Sequence, residues 1–451
     1  MTRRVLILLL MIAGCRPAAR DAAETPPNIV VIFADDLGYG DLSVYGHPTI
    51  VTPNLDRLAA QGVKLTSLYV PSPSCSPSRI GLLTGKYPPR TGVVHAMGPE
   101  DPNGIKPAEV TMAEALKERG YRTAAFGKWH LGTAPEQMPT ANGFDEYYGL
   151  LYSNDMMPPW VNTQRPLHLW RGTEPVDEYP VDQSTLTRRY TEEAVRFIRE
   201  SAGQPFFLYL PHSMPHLPIF PSTEFAGRSA GGKYGDVVEE IDWSVGRVLE
   251  TLDELGLTDN TLVVFTSDNG PWSNMPARMY DTDLDVIQRW DAGSTGPLRG
   301  AKATTWEGGH RVPGIVRFPG RIPAGVVSTE LATTLDLYPT LLNLAGAAIP
   351  ADRTVDGLDL WPLLTTGAKT PHDYFFYCWG YSVEAVRDAR WKLRLSAGDD
   401  AKPVAELFDL REDPYERFDV SAAHPDVVNR LYGVLQAKAA EIGGNALRIS
   451  E

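Results

Sequence analysis

Cysteine is scarce in this 451-residue chain: only three occur, at positions 15, 75 and 378. That is too few for a disulfide framework, so each needs its own explanation. Positive charge is in deficit too. With 42 Lys and Arg against 56 Asp and Glu, the formal net charge is -14. This excludes a broad basic face for nucleic acid, because phosphate binding needs clustered Lys and Arg, and leaves room only for a local cationic pocket. No internal repeat and no long low-complexity segment is present. A hydrophobic share of 43% and a charged share of 22% exclude a disordered or fibrous class. The length allows one large domain and a smaller one.

The amino terminus accounts for the first cysteine. Arg3 and Arg4 precede the apolar run at residues 5–12, the layout of a secretory signal, and the run is too short to cross a bilayer. It ends Ile12-Ala13-Gly14-Cys15, which resembles the lipobox of bacterial lipoproteins. The resemblance implies a signal peptide at residues 1–14 and lipidation of Cys15. It also implies export to the periplasm or cell surface, with the lipid as the sole membrane attachment. Residues 15–27 are small, charged and Pro-containing without apolar periodicity, as suits a tether.

From Asn28 the chain alternates strand-like and helix-like segments. Residues 28–34 are a continuous apolar run of the kind buried on both faces, followed by an amphipathic helix at 53–61. A helix at 108–119 leads into a strand at 121–126, one at 186–200 into a strand at 206–210, and one at 234–255 into a strand at 261–266. This predicts an α/β fold with a large, mainly parallel sheet flanked by helices, whose ligands sit beyond the carboxyl ends of strands. After residue 366 the runs shorten: strands at 374–380, 383–387 and 391–395 and a helix at 425–440 predict a smaller antiparallel sheet packed with a helix. The division reads as a catalytic domain at 28–370 and a C-terminal subdomain at 371–451.

The polar residues cluster where those strands end. Asp35-Asp36 follows the first strand and Asp268-Asn269 a later one, giving four oxygen-bearing side chains suited to a hard divalent cation; zinc would call for His or Cys. Cys75-Ser76-Pro77-Ser78-Arg79 places Pro77 at a helix start, where backbone N–H groups favour anions. Gly127-Lys128-Trp129-His130 follows another strand, and two histidines, His212 and His216, follow the strand at 206–210.

Cys75-Ser76-Pro77-Ser78-Arg79 with Leu83-Thr84-Gly85 resembles the signature of the sulfatases, within the alkaline phosphatase superfamily. Gly127-Lys128-Trp129-His130 resembles that family's second signature. The resemblance extends through Gly300-Ala301-Lys302 and the residues 406–410 and 413–414. It implies that a maturing enzyme oxidises Cys75 to formylglycine. It also implies that Asp35, Asp36, Asp268 and Asn269, with residue 75, hold calcium, and that Lys128, His216 and Lys302 bind the sulfate, with Arg79 fixing the nucleophile. His216 is chosen by the family's His-x-Pro pattern, leaving His212 a structural or rim residue. The implied chemistry is attack on sulfur by a formylglycine hydroxyl with Asp268 as base. His216 or Lys302 protonates the leaving alcohol, and His130 drives release of sulfate.

Two other readings share parts of this pattern. A phosphate or phosphonate monoester hydrolase of the same superfamily would share the sheet and metal corner, and a non-catalytic lipoprotein would capture sulfated glycans without turnover. Gly143-Phe144-Asp145 and Tyr152-Ser153-Asn154-Asp155 resemble arylsulfatase A-like members, with Ser153 near substrate. Trp160, His168 and Trp170 are candidates for an aromatic wall beside a sugar or aryl group, and a sulfated small molecule or glycan is the expected substrate.

Overall fold

The computed structural model describes residues 26–176, 179–284, 286–397 and 403–447; the signal segment and Cys15 lie outside them. Among the described residues, eleven strands form one sheet: β1 (Asn28–Ala34), β2 (Val63–Tyr69), β3 (Arg122–Phe126), β4 (Glu146–Leu150), β5 (Leu169–Arg171), β6 (Glu174–Pro175), β7 (Phe206–Pro211), β8 (Thr261–Ser267), β9 (Arg311–Arg317), β10 (Val326–Ser328) and β11 (Ala332–Thr333). Their order is β10-β2-β9-β8-β1-β7-β3-β4-β5-β6, with β11 beside β2. The centre, β8-β1-β7-β3-β4, is parallel. Every residue of β1 is buried, as its unbroken apolar sequence requires. In-register pairing of Ala34 with Ser267 and of Phe33 with Pro211 brings the carboxyl ends of β1, β8 and β7 to one level.

The helices cover this sheet by their apolar faces. Leu186–Glu200 buries Leu186, Tyr190, Ala194, Phe197 and Ile198, the spacing of one helical stripe. Met112–Lys117 is shorter than the expected 108–119 because a capping box starts it late: Glu114 N donates to Thr111 Oγ1 at 3.1 Å and Thr111 N to Glu114 Oε2 at 2.7 Å.

Beyond the four strands expected, the sheet holds seven more among the described residues, including β9, where Pro313-Gly314 reads as a break. The break is absorbed where the β2–β9 register shifts between Leu65 and Leu68 and where the β8 pairing stops at Gly314. The small sheet is antiparallel and has a fourth strand beyond those expected: β12 (Phe375–Trp379), β13 (Ser382–Arg387), β14 (Trp391–Ala397) and β15 (Pro403–Asp409). The helix Pro425–Glu441 lays Leu431, Leu435 and Ala439 against it. Tyr69, Tyr87, Leu331 and Leu335 of the larger body join the same buried cluster, so the two sheets share apolar contacts across their seam. No helix among the described residues is long and apolar enough to cross a membrane.

Candidate active site

The end-of-strand residues converge. Asp35 and Asp36 leave β1, Asp268 and Asn269 leave β8, Lys128 and His130 leave β3, and His212 and His216 follow β7. Cys75 opens the helix Cys75–Thr84, whose ten residues are all buried. Ligand atoms of Asp35, Asp36, Cys75 and His216 lie within 4.8 Å of one another. Asp268 Oδ1 accepts from Asp36 N at 3.0 Å, and Asn269 Nδ2 donates to Asp36 Oδ1 at 2.6 Å, tying the β8 pair to the β1 pair.

Cations surround these carboxylates. Arg79, fully buried, donates to Asp268 Oδ2 from Nε at 3.1 Å and from Nη2 at 2.8 Å, and to Lys128 O from Nη1 at 2.7 Å. This is the planar fork that a lysine does not reproduce. Lys128 Nζ donates to Asp35 Oδ2 at 2.6 Å and to Ser153 Oγ at 3.0 Å. Lys302 Nζ lies 2.7 Å from Asp36 Oδ1 and 3.3 Å from Cys75 Sγ. Burial pushes the Asp36 carboxyl up to about 7, with Lys302 opposing and Asp35 reinforcing. Burial acts upward on Asp35 as well, but Lys128, Arg79 and Lys302 outweigh it and hold that carboxyl below its ordinary value. Burial pushes the Cys75 thiol up to about 12, so an unmodified residue presents little thiolate at neutral pH.

Two imidazoles have their tautomers set by backbone carbonyls, which only accept. His130 Nε2 lies 2.8 Å from Met97 O, so Nε2 carries the proton, and Nδ1 is buried without a partner. His216 Nδ1 lies 2.6 Å from Leu217 O, leaving Nε2 bare, 3.4 Å from Ser153 Oγ and 3.5 Å from Asp36 Oδ2. Burial, then the nearby lysines, hold both rings well below the usual histidine range. His212 sits apart: its Nε2 meets Ser244 Oγ at 3.2 Å beside the Tyr190 ring.

Backbone geometry supports this packing. Gly127 has φ 134°, and a Cβ there would lie 1.8 Å from Pro211 O, the carbonyl that accepts from Lys128 N at 2.7 Å. Asp36 and His130 themselves have φ 62° and 61°, uncommon for residues with a Cβ.

The donor set suits a divalent cation. It offers carboxylate oxygens of Asp35, Asp36 and Asp268, and Asn269 Oδ1 is buried without a hydrogen-bond partner. Two members of the expected aromatic wall lie elsewhere. Trp160 and Trp170 pack on the hydrophobic core, because a long loop buries its rings against its own body. The tryptophan that meets the converging side chains is Trp272, whose ring centroid lies 5.4 Å from that of His216 and 4.6 Å from Lys302 Nζ. Its signal in the sequence was its position, three residues after Asn269 at a strand end. Asp155, buried with its carboxyl raised by burial against the pull of Lys302 and Lys128, was likewise overlooked as a neighbour of the site.

Residues 27–347 match the family described as Sulfatase, and residues 301–440 match N-sulphoglucosamine sulphohydrolase, C-terminal. N-acetylgalactosamine-6-sulfatase of Canis lupus familiaris is 39% identical over 480 aligned positions, covering 96% of this chain and 88% of that protein. Arylsulfatase A of Homo sapiens is also 39% identical, covering 96% and 90%. Among solved structures, Ps i-CgsB in complex with k-i-k-neocarrahexaose superposes with a TM-score of 0.79 at 31% identity, covering 92% of this chain and 93% of the other.

Proposed function

Because this chain belongs to the sulfatase family and is an enzyme that hydrolyses sulfate esters, we propose that it acts on sulfated carbohydrates through a formylglycine made from Cys75, with calcium as its metal. The observation that carries the reading is the convergence on Cys75: Lys302 Nζ at 3.3 Å, Asp35 Oδ1 at 3.6 Å, and Arg79 and Lys128 held against the same carboxylates. The carbohydrate assignment is supported by relatives named for N-acetylgalactosamine-6-sulfate and by a neighbour bound to a neocarrahexaose.

A formylglycine at residue 75 would supply a hydrated aldehyde as nucleophile, and Asp35, Asp36, Asp268 and Asn269 with residue 75 would hold calcium, which would supply positive charge for the sulfate oxygens. The rest is the work of this chain's own groups. Lys128, Lys302 and Ser153 present donors to the sulfate, and Arg79 orients Asp268, which accepts the nucleophile's proton. Lys302 protonates the leaving alcohol. Burial opposes its charged form, but Asp36, with Asp35 and Asp268 behind it, outweighs that and keeps the amine protonated. A neutral His216 has only a lone pair at Nε2 and serves as acceptor and orienter, so the shared donor role expected for it narrows to Lys302. His130, with Nδ1 bare, takes the proton whose removal accompanies sulfate release.

Export as a lipoprotein lipidated at Cys15 completes the proposal, resting on residues 12–15, with a maturing enzyme as the required partner. A mass spectrum of the peptide holding Cys75, from protein co-produced with that enzyme, tests the nucleophile. Persistent cysteine alongside undiminished sulfate release would refute it. Sulfate release from sulfated sugars tests the substrate class, and turnover of aryl sulfates alone would refute that.

A further inference from the structure

We infer that Trp272 forms the subsite for the leaving alcohol, a platform on which the sugar ring stacks; this rests on the carbohydrate reading above. Three observations place it there. The indole is in contact with two groups that hold the reacting ester, His216 at 5.4 Å between ring centroids and Lys302 Nζ at 4.6 Å from the ring. Trp272 is partly exposed, with Arg278 Cζ 6.0 Å from its ring centroid, whereas Trp129 and Trp160 are buried.

The segment is also clamped to Lys302 by its backbone. Lys302 N donates to Pro271 O at 3.0 Å, and Asn274 Nδ2 donates to Lys302 O at 3.1 Å, so the residues on both sides of Trp272 grip the backbone of the proposed proton donor. The indole therefore keeps a set distance from the leaving oxygen without being needed to hold Lys302 in place. The next two residues along the chain, Ser273 and Asn274, border a cavity of about 380 Å³ together with Arg299, Ala301, Thr304 and Trp306, within the usual size range for small-molecule sites.

The chemistry of the site selects a saturated ring. A pyranose presents one face of C–H bonds, which lies against the negative face of an indole, while its hydroxyls reach Asn274 and Ser273 at the cavity edge. The alcohol bearing the sulfate then leaves along the face of Trp272 and remains there until Lys302 has given up its proton. The bond broken is the one between sulfur and the ester oxygen, so nothing in this arrangement requires contact with the rest of a longer glycan.

The test compares Trp272→Ala and Trp272→Phe in the matured enzyme, on a 6-sulfated N-acetylhexosamine and on methyl sulfate, which has no ring. Trp272→Ala is expected to raise KM for the sugar about tenfold with kcat little changed, and Trp272→Phe to restore most of the loss. Methyl sulfate kinetics should change far less than those of the sugar, because no ring contact is lost. A fall in kcat on both esters would overturn the inference, since it would make Trp272 a support for Lys302 and His216. Unchanged KM for the sugar would overturn it as well, leaving the carbohydrate reading intact. Failure of the wild-type enzyme to hydrolyse any sulfated sugar would overturn the carbohydrate reading, and this subsite with it.

Discussion

Replacing Lys302 by Met separates the two tasks assigned to this amine. Its ammonium lies 2.7 Å from Asp36 and 3.3 Å from residue 75. Its removal deletes one positive charge facing the sulfate and, with it, the proton for the departing oxygen. Loss of a fixed charge-stabilising donor costs about 10²–10³ in rate, or roughly 3–4 kcal/mol. Loss of a general acid costs a further 10²–10⁴ or so, but only where the leaving group needs the proton. 4-Nitrophenol departs readily as an anion, whereas a sugar alkoxide does not. Lys302→Met should therefore lower kcat/KM for 4-nitrophenyl sulfate by about 10²-fold and for a sugar sulfate by about 10⁴-fold or more. The assay is steady-state kcat/KM on both esters, with sulfate measured directly for the sugar. Equal losses on the two would refute the assignment of Lys302 as acid and return that role to His216. The methionine keeps the length of the side chain, so the comparison is not confounded by a cavity beside Trp272.

Further outcomes follow from the same geometry. Chelation should lower both activity and melting temperature, with calcium restoring them ahead of zinc; a site saturated a hundredfold contributes about 2.7 kcal/mol, readable as a shift in thermal unfolding. Gly127→Ala forces a Cβ to within 1.8 Å of Pro211 O, and should cost about 3 kcal/mol or more, seen as a lower denaturant midpoint and lost activity. Burial holds the His212 imidazole down at about 3, so the native state keeps it neutral while the unfolded chain binds a proton below about pH 6.5. That stability is present above the unfolded value and lost as pH falls, by about 2 kcal/mol at pH 5. His212→Gln should accordingly flatten the fall in urea midpoint between pH 7 and pH 5, and an unaltered slope would show that the ring is not held neutral.

Much of the site could be read because its residues are local. Cys75 and Arg79 stand four apart on one helix, Lys128 and His130 flank one tryptophan, and Asp35-Asp36 and Asp268-Asn269 are adjacent pairs at the ends of continuous apolar strands. Periodicity marked those strands because a parallel strand buried on both faces has no polar positions to confuse the pattern. It failed at the seven other strands of the large sheet, among them β9, where Pro313 and Gly314 are accommodated by a shift in the neighbouring register. It failed again at β15, whose residues are largely half-buried and lack a continuous run.

By itself, then, the sequence determined the family and the alternating architecture, and it singled out Cys75 and the oxygen-rich corner as candidates, since each depends on residues near one another in the chain. Only the tertiary structure decided which nitrogens of two imidazoles carry the proton. Which nitrogen of His130 and His216 is bare depends on Met97 O and Leu217 O, and whether Lys302 or His216 gives the proton depends on that. It also chose Trp272 over Trp160 as the aromatic beside the catalytic groups. Hydrogen-bond partners and burial are properties of packing between distant segments, and no spacing along the chain encodes them.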